Sequence, residues 1–492
     1  MSSEAATPVA APDATTERSR SVRPRRLTEA TLVTWILVAF LIWVPLQTPV
    51  AVLAWQYLHV SLTLARGILL TKDLWAAALF LFLLIRHRRQ IGFFWFDWFA
   101  LAYCVLVAVY SCGPALLGSH LPALAVIASA REMLVPVELY GLGRLAGYAG
   151  VSVVGIVKAF LVVAAAAAVF AVLAFALLPG DFWATTYNLV GFIHDVQGIS
   201  SATSIWTTAI LTGYGAVWEA VRAVGPFTHP VGAGVYFAMP FALAVCAVWL
   251  GNLRQKAALA IAIGGVFLFA LAVLTPISRG TWIGLIGALV VGGALVHRYR
   301  MAALTVVLFV ACLAAIPPFS YAVWSSINGE DSSASAHASA IQGGVSVIIT
   351  NPLGGTLGGS DQFGPEIAAA SGVETNGVGE NMYLTTYASV GPLGLLVYLI
   401  WLAAVLVELF GRVRRSLPAW IPAGVAIGLL AEAAAGMSAS TLMRFTTAAS
   451  MMLVVGLVLS VPGSEFRRPD LSALRHPRRW LGSRGSDAEA AS

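Results

Sequence analysis

Residues 151–178 read VSVVGIVKAFLVVAAAAAVFAVLAFALL, a continuous apolar run interrupted by the single charge of Lys158. About 20 such residues suffice for one helical membrane crossing, and nothing in a soluble core asks for so long a stretch without polar relief. Outward from this run the chain repeats the signature, with apolar runs near 32–48, 68–85, 93–112, 114–130, 230–250, 257–275, 282–297, 302–323, 384–409, 419–440 and 443–460. The run at 68–85 is the weakest, because Arg66, Lys72 and Asp73 crowd its start. Composition agrees: of 492 residues 59% are hydrophobic and only 11% charged, where a soluble chain carries about 25% charged residues. A soluble multidomain enzyme is excluded. The expected fold is all-α: a polytopic membrane protein with about 12 transmembrane helices.

Charge placement gives the expected orientation. Residues 1–30 are Ala-, Ser-, Thr- and Pro-rich and end near RPRRL, which reads as a disordered cytoplasmic tail before an uncleaved first crossing. Residues 31–462 then form the transmembrane domain, and 463–492 a basic tail. Alternation from an inside N-terminus places RHRR (86–89), the 131–150 segment, NLRQK (252–256), HRYR (297–300), RVRR (412–415) and the C-terminal tail in the cytoplasm. Both termini are therefore expected there. Two long outer loops, about 179–229 and 324–383, remain, the second between crossings 9 and 10. That second loop contains six acidic residues and no Lys or Arg. The net charge of +6 is thus a topology signal, and it leaves no nucleic-acid footprint. The abundance of Ala, Gly and Arg over Lys points to a bacterial source, which makes the expected location the cytoplasmic membrane.

A charge at membrane depth is costly and marks a candidate site. Three arginines map to the outer side: Arg279 in TPISRGTWIGL, Arg222 in EAVRAVGPFTHP and Arg66 in LARGILLTKD. A guanidinium favours forked recognition of phosphate oxygens, although each could also snorkel to the interface. Within the late outer loop His337 is the one histidine and could act as a base, or be an inert surface residue. Glu380 could orient the site or cap the helix expected from Met382. His194 and Asp195 form an adjacent titratable pair suited to substrate contact, and His229 before Pro230 reads as a turn residue at a helix entry. NPLGGTLGG (351–359) is too loose for a nucleotide phosphate loop. Arg131, Glu132, Glu138 and Arg144 read as pairs across turns of one helix on the cytoplasmic side. The four cysteines lie in apolar runs without metal-like spacing. No ligand cluster stands out, so neither metal nor cofactor is expected.

Together, SRGTW at 278–282, R-x-x-G-x-F-x-x-P at 222–230, SAHAS leading into NPLGG, and ENMYLTTYASVGPLGLL at 380–396 resemble the O-antigen ligase and polymerase superfamily of bacterial integral membrane glycosyltransferases. The resemblance covers roughly 30–460. It implies a polyprenyl-diphosphate-linked glycan as donor and an acceptor glycan or glycolipid. Arg279 and Arg222 would hold the diphosphate with Arg66 beside them, His337 would face the acceptor with Glu380 as the alternative catalytic residue, and Asn381 and Tyr383 would join His194 and Asp195 as candidate glycan contacts. The ligase branch favours His-Asn-x-x-Leu where this chain has Glu380-Asn381-Met382-Tyr383-Leu384, which leans toward a polymerase-like or unassigned ligase-like member, with a ligase acting on a different lipid or cell-wall acceptor as the alternative. A transporter of anionic or lipid-linked glycan, and a scaffold subunit of an envelope-synthesis complex, are the alternatives. Membrane lipids are the remaining expected partner.

Overall fold

The computed structural model describes residues 24–460 except 117–120, 179–181, 184–185, 197–224, 228, 252, 254, 329–331, 356, 360–366, 369–372, 374–380, 415–417 and 440–441. The described residues are helical throughout, with no strand among them. In chain order the helices are α1 (Pro24–Tyr57), α2 (Leu62–His87), α3 (Asp97–Leu116), α4 (Ala123–Tyr148), α5 (Val153–Leu177), α6 (Leu189–Asp195), α7 (Pro230–Leu250), α8 (Lys256–Leu274), α9 (Arg279–Leu295), α10 (Tyr299–Ala315), α11 (Pro317–Ile327), α12 (Ser332–Thr350), α13 (Met382–Arg412), α14 (Trp420–Ala435) and α15 (Phe445–Ser460).

Helices form where the apolar runs lie, but the expected number of crossings is not met. Six helices, α1, α2, α5, α7, α8 and α13, are long and apolar enough to cross a membrane, or seven if the bent pair α10–α11 counts as one span. The expectation of about 12 is therefore overturned, for two physical reasons. Helices α9, α14 and α15 contain only 17, 16 and 16 residues, about 25 Å of rise against a hydrocarbon core of about 30 Å. Helix α4 is long but carries Arg131, Glu132, Glu138 and Arg144. The result is a polytopic, largely helical, membrane-associated architecture.

Other boundaries shift too. Helix α1 begins at Pro24, inside the stretch expected as tail, while 1–23 and 461–492 lie outside the described residues. The segment 131–150, expected as a loop, is mostly α4. The run 302–323 breaks at Ile316, where α10 and α11 meet at 91°.

Packing is by small residues, as bilayer-embedded helices require. Helix α7 is the centre, with 83% of its apolar window buried. Gly424 and Gly428 of α14 abut the α7 backbone, where added Cβ atoms would stand 2.7 Å from Leu243 Cα and 2.8 Å from Met239 Cα. Gly284 of α9 abuts Ala431 O of α14 at 2.7 Å by the same measure. Helices α4 and α15 touch backbone to backbone through Gly143 and Gly456.

Arg131 and Arg144 join helices, while Arg412 both joins helices and pairs with Glu408 one turn back at 3.0 Å. Arg144 of α4 pairs with Asp97 of α3 at 3.1 Å and donates to Leu459 O at 2.7 Å, and Tyr140 also donates to Asp97. Arg412 of α13 donates to Val458 O at 2.9 Å. Arg131 pairs with Asp73 of α2, which in turn lies 3.4 Å from Lys72 Nζ. Lys72 and Asp73, which seemed to crowd the start of a run, sit ten residues inside α2.

Candidate functional site

Helix α13 is broken. Val390 (φ −121°, ψ 16°) and Gly391 (φ 72°, ψ 178°) leave the helical region just before Pro392. Tyr398 Oη nevertheless reaches Met382 Sδ at 3.7 Å, whereas 16 residues of continuous helix would separate them by about 24 Å. The segments 382–390 and 392–412 are therefore sharply bent against each other at Val390–Gly391.

This bend is seated by the glycine-rich stretch. Tyr110 Oη of α3 donates to Leu353 O at 2.8 Å and Tyr387 Oη to Pro352 O at 2.9 Å. Gly354 (φ 73°) and Gly391 face each other so closely that a Cβ on either would strike the other's backbone or its neighbour's. NPLGG is thus a plug in the helix break; neither phosphate loop nor free hinge describes it.

Below the bend four helix N-termini converge on the turn that follows α14. Asn381 caps α13 by accepting from Tyr383 N and Leu384 N, both at 3.0 Å, and its Nδ2 donates to Met437 O at 2.8 Å. Met382 N donates to Gly436 O at 2.9 Å. On the other side of the turn, Gly280 in the first turn of α9 packs directly on Ser438. The start of α7 bridges to both remaining ends: a Cβ at Gly234 would lie 3.3 Å from Ser278 Cβ and Thr281 Oγ1, and one at Gly232 would lie 3.3 Å from Thr447 Cγ2 of α15. His229 caps α7, its Nδ1 accepting from Val231 N at 3.1 Å, as its place before Pro230 suggested.

The electrostatics of this floor are lopsided. A helix N-terminus carries about half a positive charge and favours an acid nearby, yet none of these four first turns contains one. Two of the helices instead place an arginine there. Arg279 is the first residue of α9, and Arg444 immediately precedes α15, its carbonyl accepting from Ala448 N at 2.9 Å. A cation at this end costs about 0.3–1 kcal/mol where an acid would gain as much. The negative counterweights are the carboxyl end of α14 and Glu432, a carboxylate only 1% exposed one turn inside it. Thr385, in the first turn of α13, is 2% exposed with an Oγ1 that finds no hydrogen-bond partner among the described residues.

The expected site residues divide accordingly. Arg279, Asn381 and Tyr383 are brought together on this turn. Arg279 Nη1 donates to Ser326 Oγ and, at 3.5 Å, to Ala322 O, which fastens α11 across the site. Tyr383 donates to Ala433 O, so Asn381 and Tyr383 shape the floor through structural bonds. Arg66 goes elsewhere: its Nε donates to Val196 O at 2.6 Å and Nη2 to Asp195 O at 3.4 Å, closing the carboxyl end of α6 in the separate apolar cluster around Trp183. His194 and Asp195 form an exposed pair at 2.7 Å beside it. His337 lies on α12 with its side chain outside the described residues, as are Arg222 and Glu380 entirely.

Sequence reading missed Arg444 and Glu432. Arg444 had the signal that singled out Arg279, a charge where one apolar run ends and the next begins, but it was absorbed into the run 443–460. Among the described residues no three His, Cys, Asp or Glu side chains group as metal ligands. Comparison with protein-family models, with curated proteins and with solved structures finds no match to this chain.

Proposed function

We propose that the protein is a metal-independent glycosyltransferase of the bacterial cytoplasmic membrane, working at the outer face and moving a glycan from a polyprenyl-diphosphate-linked donor to an acceptor sugar hydroxyl, in the manner of a polymerase. The observation that carries the reading is the convergence of four helix N-termini without an acidic first turn close to Arg279, an environment that favours an anionic ligand. The resemblance in SRGTW and ENMYLTTYASVGPLGLL supplies the chemistry. The acceptor oxygen attacks the anomeric carbon opposite the diphosphate, the C–O bond to the diphosphate breaks with its electron pair on the departing oxygen, and the acceptor proton passes to His337 or, as the alternative, Glu380. Attack from the opposite face inverts the anomeric centre. Fixed guanidinium and backbone N–H groups stabilise the departing charge.

The test is transfer by the purified protein in lipid with polyprenyl-diphosphate-linked glycan and product-length analysis. A ladder of lengths supports the polymerase, and a single transfer to a different lipid or cell-wall acceptor supports the ligase alternative. No transfer under conditions where the protein binds donor overturns the enzymatic reading. One further reading has its own support: the break in α13 and the 91° bend between α10 and α11 are features transporters use at their substrate sites. Movement of intact lipid-linked glycan across vesicle membranes, without bond cleavage, is the result that would favour transport.

A further inference from the structure

Lys72 and Asp73 stand at membrane depth. Within α2, a helix long and apolar enough to cross, they lie about 15 Å from its amino end and about 21 Å from its carboxyl end, where an ionisable side chain is costly and marks a functional position. Helix α4 supplies the rest of the cluster. Arg131 pairs with Asp73, while Lys72 Nζ lies 3.4 Å from Asp73 Oδ2 and donates to Leu69 O at 2.6 Å. Seven residues after Arg131, on the same face of α4, comes Glu138.

Two contacts bracket Glu138 against α2. On one side is the Arg131–Asp73 pair, and on the other Gly141, where a Cβ would stand 2.8 Å from Phe80 Cε2. Glu138 is half-buried there, within electrostatic reach of both Asp73 and Arg131. The cations are unevenly shared. Asp73 holds Arg131 and Lys72, whereas Glu138 makes no hydrogen bond or ion pair among the described residues. The other helices packed on α4 offer it no cation: α3 and α15 contain no Lys, Arg or His. The one acid of α3, Asp97, is held by Arg144, and its tyrosines, Tyr103 and Tyr110, are bonded to Met133 Sδ and Leu353 O. A carboxylate without a partner beside a second carboxylate is disfavoured both by its apolar surroundings and by like charge, and a proton removes that cost. Arg131 cannot give up its own charge.

We propose that Glu138, set between Asp73 and Arg131 where α2 meets α4, is an intramembrane proton-binding site. Arg131 is 41% exposed, so the cluster is open on one side and the proton can exchange. Ionised, Glu138 competes with Asp73 for the single fork of Arg131; protonated, it leaves that fork to Asp73, so proton uptake decides how α2 is tied to α4. The site is separate from the Arg279 floor and stands whether or not the protein transfers glycan.

The test is labelling of the full chain in lipid nanodiscs with dicyclohexylcarbodiimide, an apolar reagent that reacts with carboxyl groups carrying a proton, read by peptide mass. The expected adduct is at Glu138, with a yield that falls about 10-fold per pH unit above its midpoint, and it is absent in Glu138→Gln. Asp73→Asn removes the like charge and frees Arg131, so the midpoint should move to lower pH, by about one unit or more. Arg131→Gln removes the attracting cation and should move it to higher pH. An unmoved midpoint in both folded variants overturns the assignment, as does an adduct at Asp73 instead. Should the variants not fold, the wild-type profile decides, since a yield at Glu138 that is absent or independent of pH between about 5 and about 9 overturns it equally.

Discussion

Tyr398 and Met382 touch, Oη to Sδ at 3.7 Å, although they stand 16 positions apart along nominally one helix. The contact is possible only because the chain bends sharply at Gly391, and the bend sets the start of α13 against the turn after α14, where the arginine-bearing helix starts also meet. The first prediction follows from that geometry. Gly391 has φ 72°, and a Cβ there would strike Leu353 O and the Tyr110 ring. Gly391→Ala should lower stability by about 1–3 kcal/mol and loosen the plug, read as a lower unfolding midpoint in detergent and earlier protease cleavage near 351–359. Unchanged values for both would remove the bend as a strained, seated element.

Arg279 both fastens α11 and faces the site, so its two roles should separate by substitution. Arg279→Ala is expected to reduce transfer about 100-fold or more, as loss of a fixed charge-stabilising donor does, and Arg279→Lys to recover a part. Transfer at the wild-type rate by Arg279→Ala would be incompatible with the proposed mechanism.

Asn381 separates capping from charge. Asn381→Ala should cost about 1 kcal/mol through the lost cap, seen in thermal unfolding. Asn381→Asp keeps the capping acceptor but replaces the donor to Met437 O with an anionic oxygen, so stability should fall by about 1 kcal/mol and affinity for the anionic donor should fall as well. Equal donor binding by both variants would argue against an anion on this floor.

The pair Asp97–Arg144 lies at the opposite end of the bundle, with both residues buried. Asp97→Asn should destabilise by about 3–5 kcal/mol, because it strands a buried guanidinium, yet leave transfer per folded molecule intact. A selective loss of turnover with normal stability would relocate the chemistry.

If His337 takes the acceptor proton, removing its ring blocks the step. His337→Gln should therefore lose transfer while still binding donor. Transfer that persists in this variant and is lost in Glu380→Gln points to Glu380.

Apolar runs such as 151–178 and 230–250 announced their helices because the bilayer imposes one simple demand, continuous hydrophobicity, that a linear string displays. The number of full crossings was misjudged because that demand says nothing of where a short helix stops: the run at 443–460 looks like a crossing and yields a 16-residue helix. Arg279 stood out because no loop separates its flanking runs, and it does lie on the floor. Arg66 carried the same outward signal yet serves as the cap of α6, a use that depends on Val196, 130 residues away. Arg131 and Arg144 were read as pairing with Glu132 and Glu138 along their own helix, whereas they pair with Asp73 and Asp97 of other helices, because spacing along a chain is visible and adjacency between helices is not.

The bond from Tyr110 to Leu353 O joins positions 243 residues apart, and its consequence lies in the order of assembly. Closing so long a loop cannot precede synthesis of its second half, and the seat also needs Gly391. A growing chain can thus insert α1 to α12 and still have nothing to hold the outer segment in place. The floor is complete only when α13 has bent at Gly391 and the last two helices have brought Gly436, Ser438 and Arg444. Incomplete or truncated chains therefore lack this seat, whatever fraction of the bundle they have already built.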